Sequence, residues 1–211
     1  MIVFWAAIAG GAVVAYAGLK KGFLPIWAAC FNVLVSIYLG VMLLPVMAAV
    51  IPDRGTQEWF YMCAASMLVI ALLVFSLLQT VASAYFSGGY AISFPKIMDW
   101  AIAPALGFVC GYVALSFVLL VTGLMPFSSH RHVRGILDER ALPPAVRNAV
   151  TGACNVIGAA SVQIYPRKAK DVLEDFAKQR NDFVDARDNE GRTAAGYESL
   201  PAARFAEATV L

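Results

Sequence analysis

Long apolar runs separated by short polar interruptions fill the first 125 residues of the chain. Four runs are close to or above the roughly 20 residues that a membrane-spanning helix needs: residues 2–19, 22–51, 59–84 and 101–125. Pro25 and Pro45 lie near the two ends of the second run. They predict a kink or a tilted entry there, because proline has no backbone N–H to donate to the preceding turn.

Residues 126–211 follow a different pattern, in which two stretches have apolar positions that recur every three or four residues. This spacing predicts two amphipathic helices, at 143–161 and 168–183. Their apolar faces are candidate docking surfaces for the membrane or a partner protein and include Val146, Val150, Ile157, Val172 and Phe176. Residues 184–211 contain few large apolar groups, which predicts a flexible end. The pattern thus predicts an all-α, integral membrane four-helix bundle (1–125) followed by an extramembrane tail (126–211).

The charges divide at the same point. Residues 1–125 carry four basic and three acidic side chains, whereas the tail carries 12 basic and 11 acidic ones. Only 14% of the chain is charged, against about 25% in an ordinary soluble domain. The net charge of +2 is too small and too mixed to indicate nucleic-acid binding.

Small side chains recur one helical turn apart in the fourth run, at Ala103, Gly107 and Gly111. Residues spaced by four lie on one helix face, so these three predict a groove for a neighbouring helix. Gly18 and Gly22 predict a second small-residue pair around the turn between the first two runs. Generic tight packing in a helix bundle also explains each motif taken alone. Asp99 precedes the fourth run and is a candidate cap for its N-terminus.

Two motifs together resemble the colicin V production protein family. The sequence KGF at 21–23 is similar to the family's RGF turn, which joins helices one and two. Asp99 followed by Ala103, Gly107 and Gly111 is similar to the opening of its fourth helix. The resemblance covers about 1–125 and implies a bacterial inner-membrane protein linked to secretion or envelope stress. The sequence departs from the family's charged positions at Ile26, Trp100 and Cys110.

The residues offer little for catalysis. Cys30, Cys63, Cys110 and Cys154 lack the spacing of a zinc site and are interpreted as small buried hydrophobic residues. His130 and His132 flank Arg131 and indicate an interfacial basic cluster. We therefore expect no enzyme, no cofactor and no metal.

Polar residues inside the runs leave two function classes open. Asn32, Gln79 and Thr80 are the strongest polar groups there. We expect Asn32 to hydrogen-bond across helices, which fits a structural subunit or assembly factor of a membrane complex. The alternative is a narrow pore or transport component formed by several copies. The expected partners are membrane lipids and a protein partner or further copies of the chain, with no nucleic acid.

Lysines suggest the orientation. Lys20, Lys21 and Lys96 lie in the two loops opposite the termini of a four-span protein. The count of basic residues on the two sides is nearly balanced, so the positive-inside rule is inconclusive by itself. Some family relatives carry a protease domain outside the cytoplasm after the four spans. This resemblance implies that both termini lie on the non-cytoplasmic side.

Overall fold

The computed structural model describes residues 2–52, 56–86, 97–125, 144–160 and 168–198, and its regular structure there is entirely helical. The predicted all-α class is therefore confirmed. The elements are α1 (Ile2–Lys21), α2 (Phe23–Met42), α3 (Leu44–Val50), α4 (Gln57–Phe86), a π-helical turn (Met98–Ile102), α5 (Ala103–Leu124), α6 (Pro144–Ala160) and α7 (Ala169–Glu198).

Three stretches of the described chain are long and apolar enough to cross a membrane: Phe23–Met42, Gln57–Tyr85 and Met98–Leu124. They correspond to the second, third and fourth predicted runs. The first run folds as α1, a 20-residue helix that ends in Lys20 and Lys21. Its crossing of the membrane remains a prediction.

The second run, predicted as one long span over 22–51, is divided in the structure. Helix α2 ends at Met42, and the seven-residue helix α3 begins at Leu44 with Pro45 in its first turn. Proline is tolerated in a first turn, where the N–H would have no partner inside the helix, but not in a helix interior. Pro45 thus converts the predicted kink into a boundary between two helices.

Helices α2 and α5 run parallel to each other. Near their N-terminal ends the backbone N–H of Phe23 donates to the Asp99 side chain. Further along, a methyl group placed on Gly40 would lie 3.6 Å from the Phe117 ring. Both contacts join residues about the same distance along the two helices, so the helix N-termini lie at the same end of the molecule.

Helix α4 runs antiparallel to α2. Asn32, midway along α2, bonds to Gln79 late in α4, whereas Gly40, near the end of α2, faces Ala71, which lies earlier in α4. Helices α2, α4 and α5 pack on one another, and α1 packs mainly on the α5 side of this group. The four apolar helices thus form a three-helix group with α1 packed on its α5 side, and their arrangement as a four-span membrane bundle stays a prediction.

The tail helices belong to the same hydrophobic core as the apolar helices. Side chains of α2, α4, α5, α6 and α7 form one continuous buried cluster. Helix α6 lies against α2 and α5 and follows the predicted range closely.

Helix α7 is longer than predicted, because residues 184–198 continue it where the sequence indicated a flexible end. The first half of α7 packs on the core and so provides the first helical turns, whose formation is the unfavourable step in building a helix. No proline interrupts its continuation before Pro201. Residues 199–211 lie outside the described residues.

Candidate functional site: a helix-packing seam

The small residues of α5 bring its backbone against the backbone of α1. A methyl group placed on Gly107 would lie 2.8 Å from the carbonyl oxygen of Val14 and 3.0 Å from the Cα atom of Ala15. A methyl group on Gly111 would lie 2.8 Å from the carbonyl oxygen of Gly10. Real side chains essentially never approach this closely. Glycine at both positions is therefore a condition for the observed helix separation.

Ala103 takes part in the same seam through its own backbone. A methyl group on Gly18 would lie 2.8 Å from the Ala103 carbonyl oxygen. The three contacts pair Gly18 with Ala103, Val14 with Gly107 and Gly10 with Gly111. Positions therefore fall by four along α1 as they rise by four along α5. The two helices are thus antiparallel and in matched register. We call the five residues Gly10, Gly18, Ala103, Gly107 and Gly111 the α1–α5 seam.

Gly22 has a different role from the one its spacing to Gly18 predicted. It is the single residue between α1 and α2, and its φ angle is +81°. A positive φ strongly favours glycine, because any Cβ atom is crowded there by the backbone. Gly22 is therefore a turn residue and not a part of the seam, and Gly10 takes the place in the seam that the prediction gave to Gly22.

Asp99 caps a helix, but a different one from the helix predicted. Its Oδ1 atom accepts a 2.8 Å hydrogen bond from the backbone N–H of Phe23, in the first turn of α2. Asp99 lies inside the π-helical turn and is not the N-cap residue of the turn or of α5; those positions are Ile97 and Ile102. A carboxylate at a helix N-terminus is stabilised by the unpaired N–H groups and the helix dipole. The KGF turn and Asp99, which are 76 residues apart in the sequence, thus form one contact.

The end of the molecule that carries this contact suits a membrane–water boundary. Lys20 and Lys21 are exposed there, and the Lys20 ammonium lies 4.9 Å from the centroid of the Tyr16 ring. Trp100 is 78% exposed beside them in the π-helical turn. Tryptophan and lysine are typical of this boundary. The third predicted orientation residue, Lys96, lies outside the described residues.

Polar side chains buried among the three long apolar helices are neutral in the described part of the chain: Asn32, Ser36 and Ser116. The Asn32 side-chain amide donates to the Gln79 Oε1 atom at 3.3 Å, as expected for a bond across helices. The Ser36 hydroxyl donates to the Asn32 carbonyl oxygen at 2.6 Å. Among the described residues, no group of three potential metal ligands occurs.

The predicted docking faces of the tail are occupied by the chain itself, which corrects the prediction that they dock on the membrane or on a separate partner. Each of the five is at least 92% buried: Val146, Val150, Ile157, Val172 and Phe176. The amphipathic pattern was interpreted as an external surface because sequence spacing shows that a face is apolar but not what covers it.

Aromatic residues provide the contact between α7 and α4, which the sequence analysis missed. The Phe176 ring lies 5.9 Å from the Trp59 ring and 5.7 Å from the Phe60 ring, and Phe183 lies 5.3 Å from Phe60. Beyond them, the Arg187 guanidinium donates to the Gln57 side chain. In the sequence, the one indication of this contact was the adjacent aromatic pair Trp59 and Phe60 near the start of an apolar run.

The described residues thus form a helical fold with three helices long and apolar enough to span a membrane, and the seam residues hold α1 against α5. Comparison with protein-family models, with curated proteins and with solved structures finds no match.

Proposed function

We propose that the protein is a non-catalytic integral membrane protein, similar to the colicin V production family, that acts as a structural subunit or accessory factor of a larger membrane complex. The observation that carries this proposal is the bare C-terminal half of α4. None of residues 72–85 is buried, whereas six residues between 57 and 71 are. Leu77 is 67% and Tyr85 is 81% exposed.

The bare half of α4 has the composition of a helix-packing surface. Ser76, Thr80 and Ala84 are exposed at intervals of four residues, the spacing that the α1–α5 seam uses. Small and hydroxyl side chains are enriched where membrane helices meet, because they permit close backbone approach. The Thr80 hydroxyl donates a 2.8 Å hydrogen bond to the Ser76 carbonyl oxygen. Because its proton is already bonded within the helix, the hydroxyl can face apolar surroundings. We infer that a helix of another subunit packs on this stripe.

The polar character of the same stripe favours a second candidate function. Several copies that place Ser76 and Thr80 around a common axis would line a narrow polar path. An oligomeric pore or a transport and secretion component for small solutes or peptides is therefore the alternative.

Purification from a mild detergent distinguishes the two functions. A partner that copurifies in fixed stoichiometry supports the subunit. Ion flux through liposomes that contain the pure protein supports the pore. Thr80→Leu should release the partner, and Val81→Leu, on a neighbouring exposed position of α4, should retain it. A stable, monodisperse protein without partner or flux, unaffected by Thr80→Leu, would contradict both functions.

The proposal includes a four-span arrangement in a bacterial inner membrane with both termini outside the cytoplasm. The register of the α1–α5 seam supports a fourth span, since α1 accompanies α5 over at least the eight residues from Gly10 to Gly18. Lys20 and Lys21 at the opposite end from the tail support a cytoplasmic position for the α1–α2 turn.

Site-directed labelling tests the orientation. Cys154 is 1% exposed and unsuitable as a label site. Gly152 is exposed, with no atom within 4 Å of an added Cβ atom. A membrane-impermeant maleimide should label Gly152→Cys in intact spheroplasts and leave the parent protein unlabelled. Labelling only after permeabilisation would reverse the orientation.

A further inference from the structure

Two exposed lysines lie where two of the long apolar helices begin. Lys20 and Lys21 end α1 and come just before Phe23, the first residue of a stretch long and apolar enough to span a membrane. The second such stretch at this end is Met98–Leu124, and the hydrogen bond from Phe23 to Asp99 holds its start beside the start of α2. The two helix starts therefore lie at one level, and both lysines lie close to that level.

The Lys20 side chain points back along α1, towards the apolar part of the helix. Its ammonium group lies 4.9 Å from the centroid of the Tyr16 ring, which belongs to the preceding helical turn. This direction is usual, because helical side chains lean towards the helix N-terminus. Tyr16 is 61% exposed. In a membrane, the ammonium group would therefore lie beside lipid headgroups.

The chain itself supplies little negative charge to these lysines. In the part of the chain that the structure describes, neither the Lys20 nor the Lys21 ammonium group forms an ion pair. The carboxylate beside Gly22 is that of Asp99, and its Oδ1 atom accepts the Phe23 N–H. Two positive charges and one negative charge leave this surface net positive. Ionisable groups near a membrane interior are normally paired, so an anionic headgroup is the complementary partner.

We propose that Lys20, Lys21 and Trp100 form a binding surface for the headgroup of an anionic phospholipid. The two ammonium groups donate to the phosphate oxygens, and the indole of Trp100, which is 78% exposed, lies at the membrane–water boundary. A zwitterionic lipid carries a phosphate as well, but its own cation neutralises it, so the surface selects lipids by net charge. The proposal rests on the proposed membrane insertion and holds for a subunit and for a pore.

Native mass spectrometry of the full-length protein in detergent tests this surface. We expect phosphatidylglycerol to bind more tightly than phosphatidylcholine with the same acyl chains. A lysine near a membrane surface contributes about fivefold to the affinity for anionic lipid, so replacing Lys20 and Lys21 by glutamine should reduce the preference by about fivefold for each. The matched control replaces Lys170 and Lys178, two exposed lysines of α7, by glutamine and should keep the preference.

A third variant should change the affinity in the opposite direction. Asp99→Asn removes the negative charge beside the lysines and keeps an oxygen that can accept the Phe23 N–H. It should bind phosphatidylglycerol more tightly than the parent protein does. Weaker binding by a variant that retains its helical circular dichroism would contradict the charge argument.

Three outcomes would overturn the proposal. In the first, the parent protein binds the two lipids equally. In the second, both double variants lose the preference equally, which would indicate a general attraction between the lipid and the protein's positive charge. In the third, soluble glycerol phosphate displaces the lipid at equal concentration, which would indicate a site for a free anion. The first and third outcomes use the parent protein alone, and none depends on whether a partner copurifies, so the lipid preference and the subunit function fail separately.

Discussion

Substitution of Gly107 by alanine is the sharpest test of the α1–α5 seam. The added methyl group would lie 2.8 Å from the Val14 carbonyl oxygen, where ordinary contact begins at 3.4 Å. The nearest atoms belong to the backbone of α1, so no side-chain rotation relieves the clash. One of the two helices must shift by about 0.6 Å, and the shift loosens the neighbouring contacts of the seam.

Two opposing terms determine the size of the effect. Alanine is favoured over glycine in a helix interior by about 1 kcal/mol. Overpacking of a tight contact costs about 1–3 kcal/mol. Because the clash is with backbone, the overpacking cost lies in the upper part of that range, at about 2–3 kcal/mol, and we expect Gly107→Ala to lower the free energy of unfolding by about 1 to 2 kcal/mol in total. Gly152→Ala is the matched control, with no atom within 4 Å of its new methyl group. It should gain up to about 1 kcal/mol.

The assay is unfolding of both variants and the parent in mixed detergent micelles, followed by helical circular dichroism. The expected order of stability is Gly152→Ala, then the parent, then Gly107→Ala. Gly107→Leu, with a larger side chain, should also reduce the yield in membranes. If Gly107→Ala gains as much stability as Gly152→Ala, α1 and α5 do not approach as described and the reasoning is refuted.

Three further predictions concern other contacts. Asp99→Ala should cost about 1 kcal/mol through loss of the Phe23 cap, and Asp99→Asn, which keeps an acceptor, should cost less; equal losses in detergent unfolding would count against the cap. Phe176→Ala should cost about 3–5 kcal/mol and expose α7 to limited proteolysis, unlike Val156→Ala at a 60% exposed position; unchanged proteolysis would show that the aromatic contact does not hold the tail. Burial raises the pKa of the Cys154 thiol from 9.0 to about 12, so its stabilising contribution is complete below pH 9 and is lost as the pH rises towards 12. The stability difference between the parent and Cys154→Ala should therefore shrink over that range, and a constant difference would contradict the assignment.

The sequence by itself determined the helical class, three segments long and apolar enough to span a membrane, and the two amphipathic tail helices. These features depend on hydrophobicity and period, which are local properties of the chain. The glycine spacing on α5 also predicted that this face packs closely on another helix, because only small side chains permit backbone contact.

Tertiary structure alone decided which surfaces meet. The partner of the apolar face on α6 and α7 is the chain's own core, and Asp99 caps α2 across 76 residues of sequence. Gly22 and Gly18 have the same spacing as a packing motif, yet one is a turn and the other lies in the seam. The physical reason is that apolar burial and dispersion are non-directional. An apolar pattern therefore specifies that a helix face must be covered, whereas the register and distance between helices determine which segment covers it.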